Sequence, residues 1–127
     1  MMADGRIGAA NAAAIWCSNN FLIEERCTKK KKARFKYVLE SVILRKFNLC
    51  ANSDEPCVIQ IEDNKPSKML EQVMELVGLS TYELTSTNTL VMVFHNSVWV
   101  SEGFKGGSQG AKKDAKCIYM QTITHSK

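Results

Sequence analysis

The clearest hydrophobic pattern in the chain lies in residues 33–47. Its apolar residues recur at i, i+3, i+4, i+7, i+8 and i+12, and they are Phe35, Val38, Leu39, Val42, Ile43 and Phe47. This spacing predicts an amphipathic helix that buries one face. A similar pattern predicts a second helix over residues 67–77, and Gly78, directly after it, is typical of a left-handed helix stop.

Four short segments have the β-branched and aromatic residues that are typical of strands. These predicted strands are residues 57–62, 82–87, 89–94 and 97–102. The pair His95-Asn96 stands between the last two and suits a tight turn. Because consecutive short strands usually pair with one another, the last three predict an antiparallel meander.

The two ends of the chain have weaker patterns. Residues 7–23 are rich in Ala and suit a helix that is interrupted near Asn19 and Asn20. Near the other end, the Gly-rich link at residues 103–110 leads into a predicted third helix. The residues expected to share its apolar face are Ala111, Ala115, Ile118 and Thr122.

The charge is distributed unevenly over the 127 residues, although the net charge is only +4. Residues 26–47 contain nine basic residues and one acid, and residues 105–127 contain five and one. Residues 48–104 contain two and eight. The chain length suits one domain, and 45% hydrophobic residues are enough for a core. The longest apolar run is too short for a membrane span, and no secretion signal is apparent, so we expect neither membrane insertion nor secretion.

Nucleophiles and metal ligands are sparse. The five cysteines do not form a C-x-x-C pair, and their odd number makes a disulfide framework improbable. The two histidines, His95 and His125, have no nearby Cys or Asp with which to form a catalytic or ligand set. We therefore expect a protein without catalytic residues, metal or cofactor.

Residues 67–123 resemble a known family in the order of their elements. Residues 97–116, SVWVSEGFKGGSQGAKKDAK, look like a strand that ends in Gly, a small polar link and a Lys-Lys-x-Ala-Lys motif opening a helix. Residues 68–84, KMLEQVMELVGLSTYEL, look like a first helix followed by a Tyr-Glu-Leu entry into a strand. Both segments resemble the double-stranded RNA-binding domain. Residues 103–108, with FKYVLESVI at residues 35–43, are similar to the divergent modules of NF-kappa-B-repressing factor and its relatives.

The resemblance implies an α+β fold of dsRBD-like α-β-β-β-α order, in which two helices pack on one face of a three-stranded antiparallel sheet. One or two additional helices precede it. We expect residues 1–28 to form an Ala-rich helical extension. Residues 29–127 would then form the dsRBD-like domain with an added basic helix, its core at residues 67–123.

Two groups of basic residues are candidates for RNA binding. Lys112, Lys113 and Lys116 would stand in the first turns of the third helix, where the helix dipole also attracts phosphates, and Lys105 would assist. The second group precedes the helix at residues 33–47 and consists of Lys29, Lys30, Lys31, Lys32 and Arg34. Positive charges at the amino end of a helix oppose its dipole, so an anionic partner explains them better than helix stability does.

Two other phosphate-binding motifs fit less well. Gly103-Phe104-Lys105-Gly106 matches the Gly-x-x-Gly clamp of a KH domain, but that clamp joins two helices and a strand is predicted before this one. The glycines before Lys112 lack the Gly-Lys-Ser/Thr ending of a nucleotide-binding loop.

The predicted function is that of a non-enzymatic module that binds structured or double-stranded RNA through its phosphates, in the nucleus or nucleolus or in the cytoplasm. The loop at residues 86–89 is too short for the family's Gly-Pro-x-His element, which enters a minor groove. An alternative therefore stays open, namely a protein-interaction or homodimerisation module that has lost RNA binding. Its docking segment would surround Trp16, Phe21 and Leu22.

Overall fold

The protein forms an α+β fold in the computed structural model, which describes residues 4–50 and 55–121. Within these residues there are four α-helices and five strands: α1 (Asp4–Asn20), α2 (Lys29–Leu49), β1 (Cys57–Glu62), β2 (Lys65–Pro66), α3 (Lys68–Val77), β3 (Thr89–Val93), β4 (Ser97–Glu102), α4 (Ser108–Lys113) and β5 (Lys116–Met120). The strands form one antiparallel sheet in the order β2-β1-β3-β4-β5. The α+β class predicted from the sequence is thereby confirmed.

Helix α2 confirms the strongest pattern in the sequence and starts earlier than the apolar residues do. The residues that it buries in the core are Phe35, Leu39, Ile43 and Phe47. Its first turn is the basic run itself, because the Thr28 side chain caps the helix by accepting a hydrogen bond of 3.1 Å from the backbone N–H of Lys31. The lysines are therefore helical rather than part of a preceding loop.

Helix α1 is an integral part of this core. Its buried residues are small, namely Ala9, Ala10, Ala13, Ala14 and Cys17, and they allow α1 to pack closely on α2 and on the sheet. At Gly8 an added Cβ would collide with the Tyr119 hydroxyl, so any larger residue would force the Tyr119 side chain to shift where α1 crosses β5. The helix ends at Asn20, where the sequence predicts an interruption. The segment expected to be an extension thus supplies a helix to the main core.

Several elements in the middle of the chain match their predictions. Strand β1 has the predicted bounds, and α3 begins one residue after the predicted start. Gly78 ends α3 in the left-handed conformation, with φ of 83°. Strands β3 and β4 form the predicted hairpin around His95-Asn96, closed by a 2.8 Å hydrogen bond from the Phe94 N–H to the Ser97 carbonyl.

The strand predicted at residues 82–87 is wrong. Residues Thr81–Glu83 form a short 3₁₀ helix, and Leu84 makes only an isolated bridge to Leu22. The cause is local: the Glu83 carboxylate accepts hydrogen bonds from the backbone N–H and the hydroxyl of Ser80, and this capping box closes a tight turn.

The third helix predicted from Ala111 onward is also wrong. Helix α4 ends at Lys113, and the chain continues as β5, which pairs with β4. Cys117, Ile118 and Tyr119 favour a strand because β4 offers a free edge and because Tyr119 packs against the main core. Thr122 lies outside the described residues. The sheet therefore has five strands instead of three, and the predicted α-β-β-β-α order does not form over residues 67–121.

Helices cover both faces of the sheet, but unequally. Helices α1, α2 and α3 pack on one face, where β3 contributes Val91 and Val93 to the main core. The alternate residues Leu90 and Met92 point to the other face and form a smaller cluster with Ala111 of α4. Helices α2 and α4, which carry most of the candidate RNA-binding residues, thus lie on opposite faces of the sheet.

Candidate nucleic-acid interface

The predicted helical lysine group does not form as a single helix face. Lys112 and Lys113 are exposed in the last turn of the six-residue α4, whereas Lys116 is exposed on β5. Lys105 is exposed in the loop before α4. Because the carboxyl end of a helix carries the negative end of its dipole, the dipole of α4 stabilises Lys112 and Lys113 and does not add to their attraction for a phosphate.

Carboxylates lie beside Lys116. A groove of about 420 Å³ between β4 and the end of α4 is lined by Lys116 together with Glu102 and Asp114. Two acidic side chains next to one lysine lower the positive potential that a phosphate would meet. This side of the sheet is therefore a weaker anion site than the sequence motif indicates.

The lysines of α2 are better organised. Lys29, Lys32 and Lys36 stand at i, i+3 and i+7, and they line a cleft of about 400 Å³ between the start of α2 and the end of α1. The α1 residues in the lining are Ile15, Ser18 and Asn19. No carboxylate of the described residues lines this α1–α2 cleft. Lys30 and Arg34 are exposed on other sides of the same turns.

The end of α1 explains part of this charge. Since α1 ends where α2 begins, the negative end of the α1 dipole lies beside Lys29 and Lys32. The positive charges of these lysines thus interact favourably with the negative end of the α1 dipole. They interact unfavourably with the positive end of the dipole of their own helix. The sequence alone indicates only the dipole of α2, because the position of α1 is a tertiary feature, and the need for an external anion is therefore smaller than the sequence indicates.

Lys31 has a partner within the protein. Its Nζ lies 3.2 Å from Oε2 of Glu83, and the Lys31 side chain is 40% exposed. The pKa of the Glu83 carboxyl is lowered, first by the hydrogen bond from the backbone N–H of Ser80 and further by Lys31, although burial opposes the shift. Lys31 therefore links α2 to the 3₁₀ turn through an ion pair within the protein.

A second contact strengthens this tie and was missed from the sequence. The Arg26 guanidinium lies 4.6 Å from the centre of the Tyr82 ring and donates a 3.3 Å hydrogen bond to the Tyr82 carbonyl. In the same region, the Ile23 N–H donates to the Glu83 carbonyl at 2.9 Å. The only sequence signal was the position of Arg26 at the start of the basic segment.

The segment around Trp16, which the alternative function would use for docking, is largely packed in the core. Phe21 and Leu22 are buried, and Trp16 packs edge to face on Phe21 with 6.1 Å between ring centres. Trp99, the other tryptophan, packs in the small cluster on the opposite face of the sheet. A protein partner would need a different surface.

The cysteines differ in their surroundings. Cys17 and Cys57 are buried, and burial raises the pKa of the Cys57 thiol to about 11 and that of Cys17 further. Cys50 and Cys117 are exposed. In the part of the chain that the structure describes, no three His, Cys, Asp or Glu side chains are grouped as metal ligands. His95 packs edge to face on Phe47, and His125 lies outside the described residues.

None of the described helices is both long enough and apolar enough to span a membrane. No protein-family model matches the chain, and no curated protein is significantly similar to it. The function is therefore inferred from the surfaces of the molecule.

Proposed function

We propose that this protein is a non-enzymatic RNA-binding module that contacts phosphates through the α1–α2 cleft. The observation that carries the proposal is the row of Lys29, Lys32 and Lys36 on one side of a cleft whose described lining contains no carboxylate. A rise of 1.5 Å per residue makes this row about 10 Å long, and it starts at the positive end of the α2 dipole, which the negative end of the α1 dipole partly offsets. Such a row suits a phosphate backbone, which is recognised by charge rather than by base sequence.

Two further features support an RNA ligand. Lys30 and Arg34 extend the positive charge around the same turns of α2. The resemblance of residues 68–84 and 97–116 to the double-stranded RNA-binding domain favours structured or double-stranded RNA, and it favours a role in nuclear RNA metabolism. The binding surface differs from the one that the resemblance implies, because the α4 lysines lie on the other face of the sheet.

The experiment compares charge reversal on the two faces. One variant combines Lys29→Glu, Lys32→Glu and Lys36→Glu. The control, called the α4 variant, reverses the same number of charges on the other face and combines Lys105→Glu, Lys112→Glu and Lys113→Glu, three exposed lysines in or just before α4. Binding to a labelled RNA duplex of about 20 base pairs is measured by fluorescence anisotropy, and circular dichroism melts check folding. We expect the α2 variant to lose binding and the α4 variant to keep it.

Salt dependence tests the same contacts in the wild-type protein. If three lysines neutralise three phosphates, raising the salt concentration from 50 to 200 mM should weaken binding by about 40-fold. Binding that persists in the α2 variant, or a loss of equal size in the α4 variant, would show that the α1–α2 cleft is not the RNA site.

A further inference from the structure

A second groove lies between the carboxyl-terminal half of α2 and the first turns of α3. It has a volume of about 330 Å³. Its apolar lining residues are Val42, Leu49 and Met69, and its basic ones are Arg45, Lys46 and Lys68. The lysines of the α1–α2 cleft are at the opposite end of α2, so this α2–α3 groove is a separate surface.

The exposed apolar part of the groove is centred on Leu49, whereas Val42 and Met69 also pack against the main core. Leu49 is 80% exposed although it stands in the last turn of a helix whose other face is buried, and Val42 and Met69 are half-buried. Gln72 also lines the groove, and Leu76, 56% exposed, lies one turn further along the same side of α3. A single exposed Leu is ordinary, but several apolar residues along a groove between two helices are typical of an interaction site.

The charge of the groove is entirely positive among the described residues. Arg45, Lys46 and Lys68 are exposed, and no Asp or Glu lines the groove. The ion pair of Lys31 with Glu83 lies outside this groove. The amino end of the ten-residue α3 adds its dipole at Lys68. A partner with negative charge would complement all of these groups.

We propose that the α2–α3 groove binds an acidic amphipathic segment of a protein partner, which would place apolar side chains over Leu49 and Val42 and carboxylates beside Arg45, Lys46 and Lys68. An RNA backbone fits less well. It would leave the aliphatic lining uncovered, and the described lining of the groove contains no aromatic ring on which a base could stack. The proposal does not depend on RNA binding at the α1–α2 cleft.

The test is selection from a library of random 16-residue peptides displayed on phage, with all 127 residues of the chain as bait. We expect the enriched peptides to combine Asp or Glu with apolar residues at helical spacing. A labelled synthetic copy of the enriched peptide should bind the Leu49→Ser variant about tenfold more weakly than the wild-type protein, and the Arg45→Glu variant similarly. A loss of this size is typical of a residue at the centre of an interface. The matched control is Tyr37→Ser, since Tyr37 is 70% exposed on α2 outside the groove and should not matter.

Three results would overturn the proposal. One is the absence of an acidic amphipathic consensus in the selection. Another is equal peptide affinity for Leu49→Ser and Tyr37→Ser, with both variants showing wild-type melts. The last is displacement of the peptide by the RNA duplex together with unchanged peptide affinity in the Leu49→Ser variant. This result would show that the groove is a general site for polyanions. Peptide binding that is unchanged in the triple Lys29, Lys32 and Lys36 variant supports a separate site. The same variant distinguishes a failure of this proposal from a failure of RNA binding at the α1–α2 cleft.

Discussion

The ionised Glu83 side chain should make a measurable contribution to stability, and Glu83→Gln removes its charge while keeping its shape. In the native protein the carboxylate accepts a 2.9 Å bond from the Ser80 N–H and lies 3.2 Å from the Lys31 Nζ. Changing a charged acceptor to a neutral one costs about 1 kcal/mol. The partly exposed ion pair adds at most about 1 kcal/mol. We expect a total loss of about 1–2 kcal/mol at neutral pH, which lowers the melting temperature by several degrees.

The pH dependence identifies the charge as the cause. Because the folded pKa of Glu83 lies below the ordinary value of 4.5, its contribution is present above pH 4.5 and is lost as the pH falls through the folded pKa. Glu83→Gln carries no titrating group at this position. The stability difference between the two proteins should therefore be constant from pH 7 to about pH 5 and should shrink steadily toward about pH 3.

Urea denaturation at a series of pH values measures this difference. Lys31→Met provides a control, since it removes the ion pair and leaves the Ser80 hydrogen bonds, and it should cost less than Glu83→Gln. A difference between wild type and Glu83→Gln that stays the same down to about pH 3 would refute the assigned role of the charge. A larger loss for Lys31→Met would show that the ion pair, rather than the capping box, dominates.

Two other predictions follow from packing. Gly8→Ala should destabilise the protein by about 1–2 kcal/mol despite the better helix propensity of Ala, because the methyl group meets the Tyr119 hydroxyl. Tyr119→Phe should recover part of that loss in the double variant, as measured by urea denaturation, and no recovery would contradict the collision. In alkylation with iodoacetamide followed by mass spectrometry, the exposed Cys50 and Cys117 should react in the native state. Cys17 and Cys57 should react only on unfolding, since both are buried with raised pKa values, and equally fast labelling of Cys57 and Cys117 would contradict this.

The elements that could be predicted from the sequence are those whose information is local. Helix α2 has one apolar stripe over four turns, and β1 alternates buried and half-buried residues along its whole length. Such periodicity needs no knowledge of the neighbours. The hairpin of β3 and β4 is also local, because its turn stands between two apolar segments.

The elements that failed depend on distant or competing contacts. Residues 116–120 follow a helix-prone lysine motif, yet they form β5. They pair with the edge of β4 that would otherwise be free, and Tyr119 packs beside α1. Neither condition is visible within a window of ten residues. At Glu83, two hydrogen bonds with Ser80 outweigh the β propensity of Tyr82 and its neighbours.

For the candidate site too, the local features could be predicted from the sequence and the tertiary ones could not. The sequence indicates which lysines cluster along the chain, and α2 does bring Lys29, Lys32 and Lys36 together. It could not indicate that α4 belongs to the other face of the sheet, since that depends on which residues of β3 point to each side. The internal partner of Lys31 is more than fifty positions away in sequence and was also out of reach.

The contact between Gly8 of α1 and Tyr119 of β5 joins the first helix to the last strand. The main neighbour of α1 is α2, the next α-helix along the chain, whereas β5 is separated from α1 by most of the described residues. Contacts of such long sequence separation form slowly, and they leave early segments exposed in the meantime. The contact between α1 and β5 is therefore expected to form after the packing of α1 on α2.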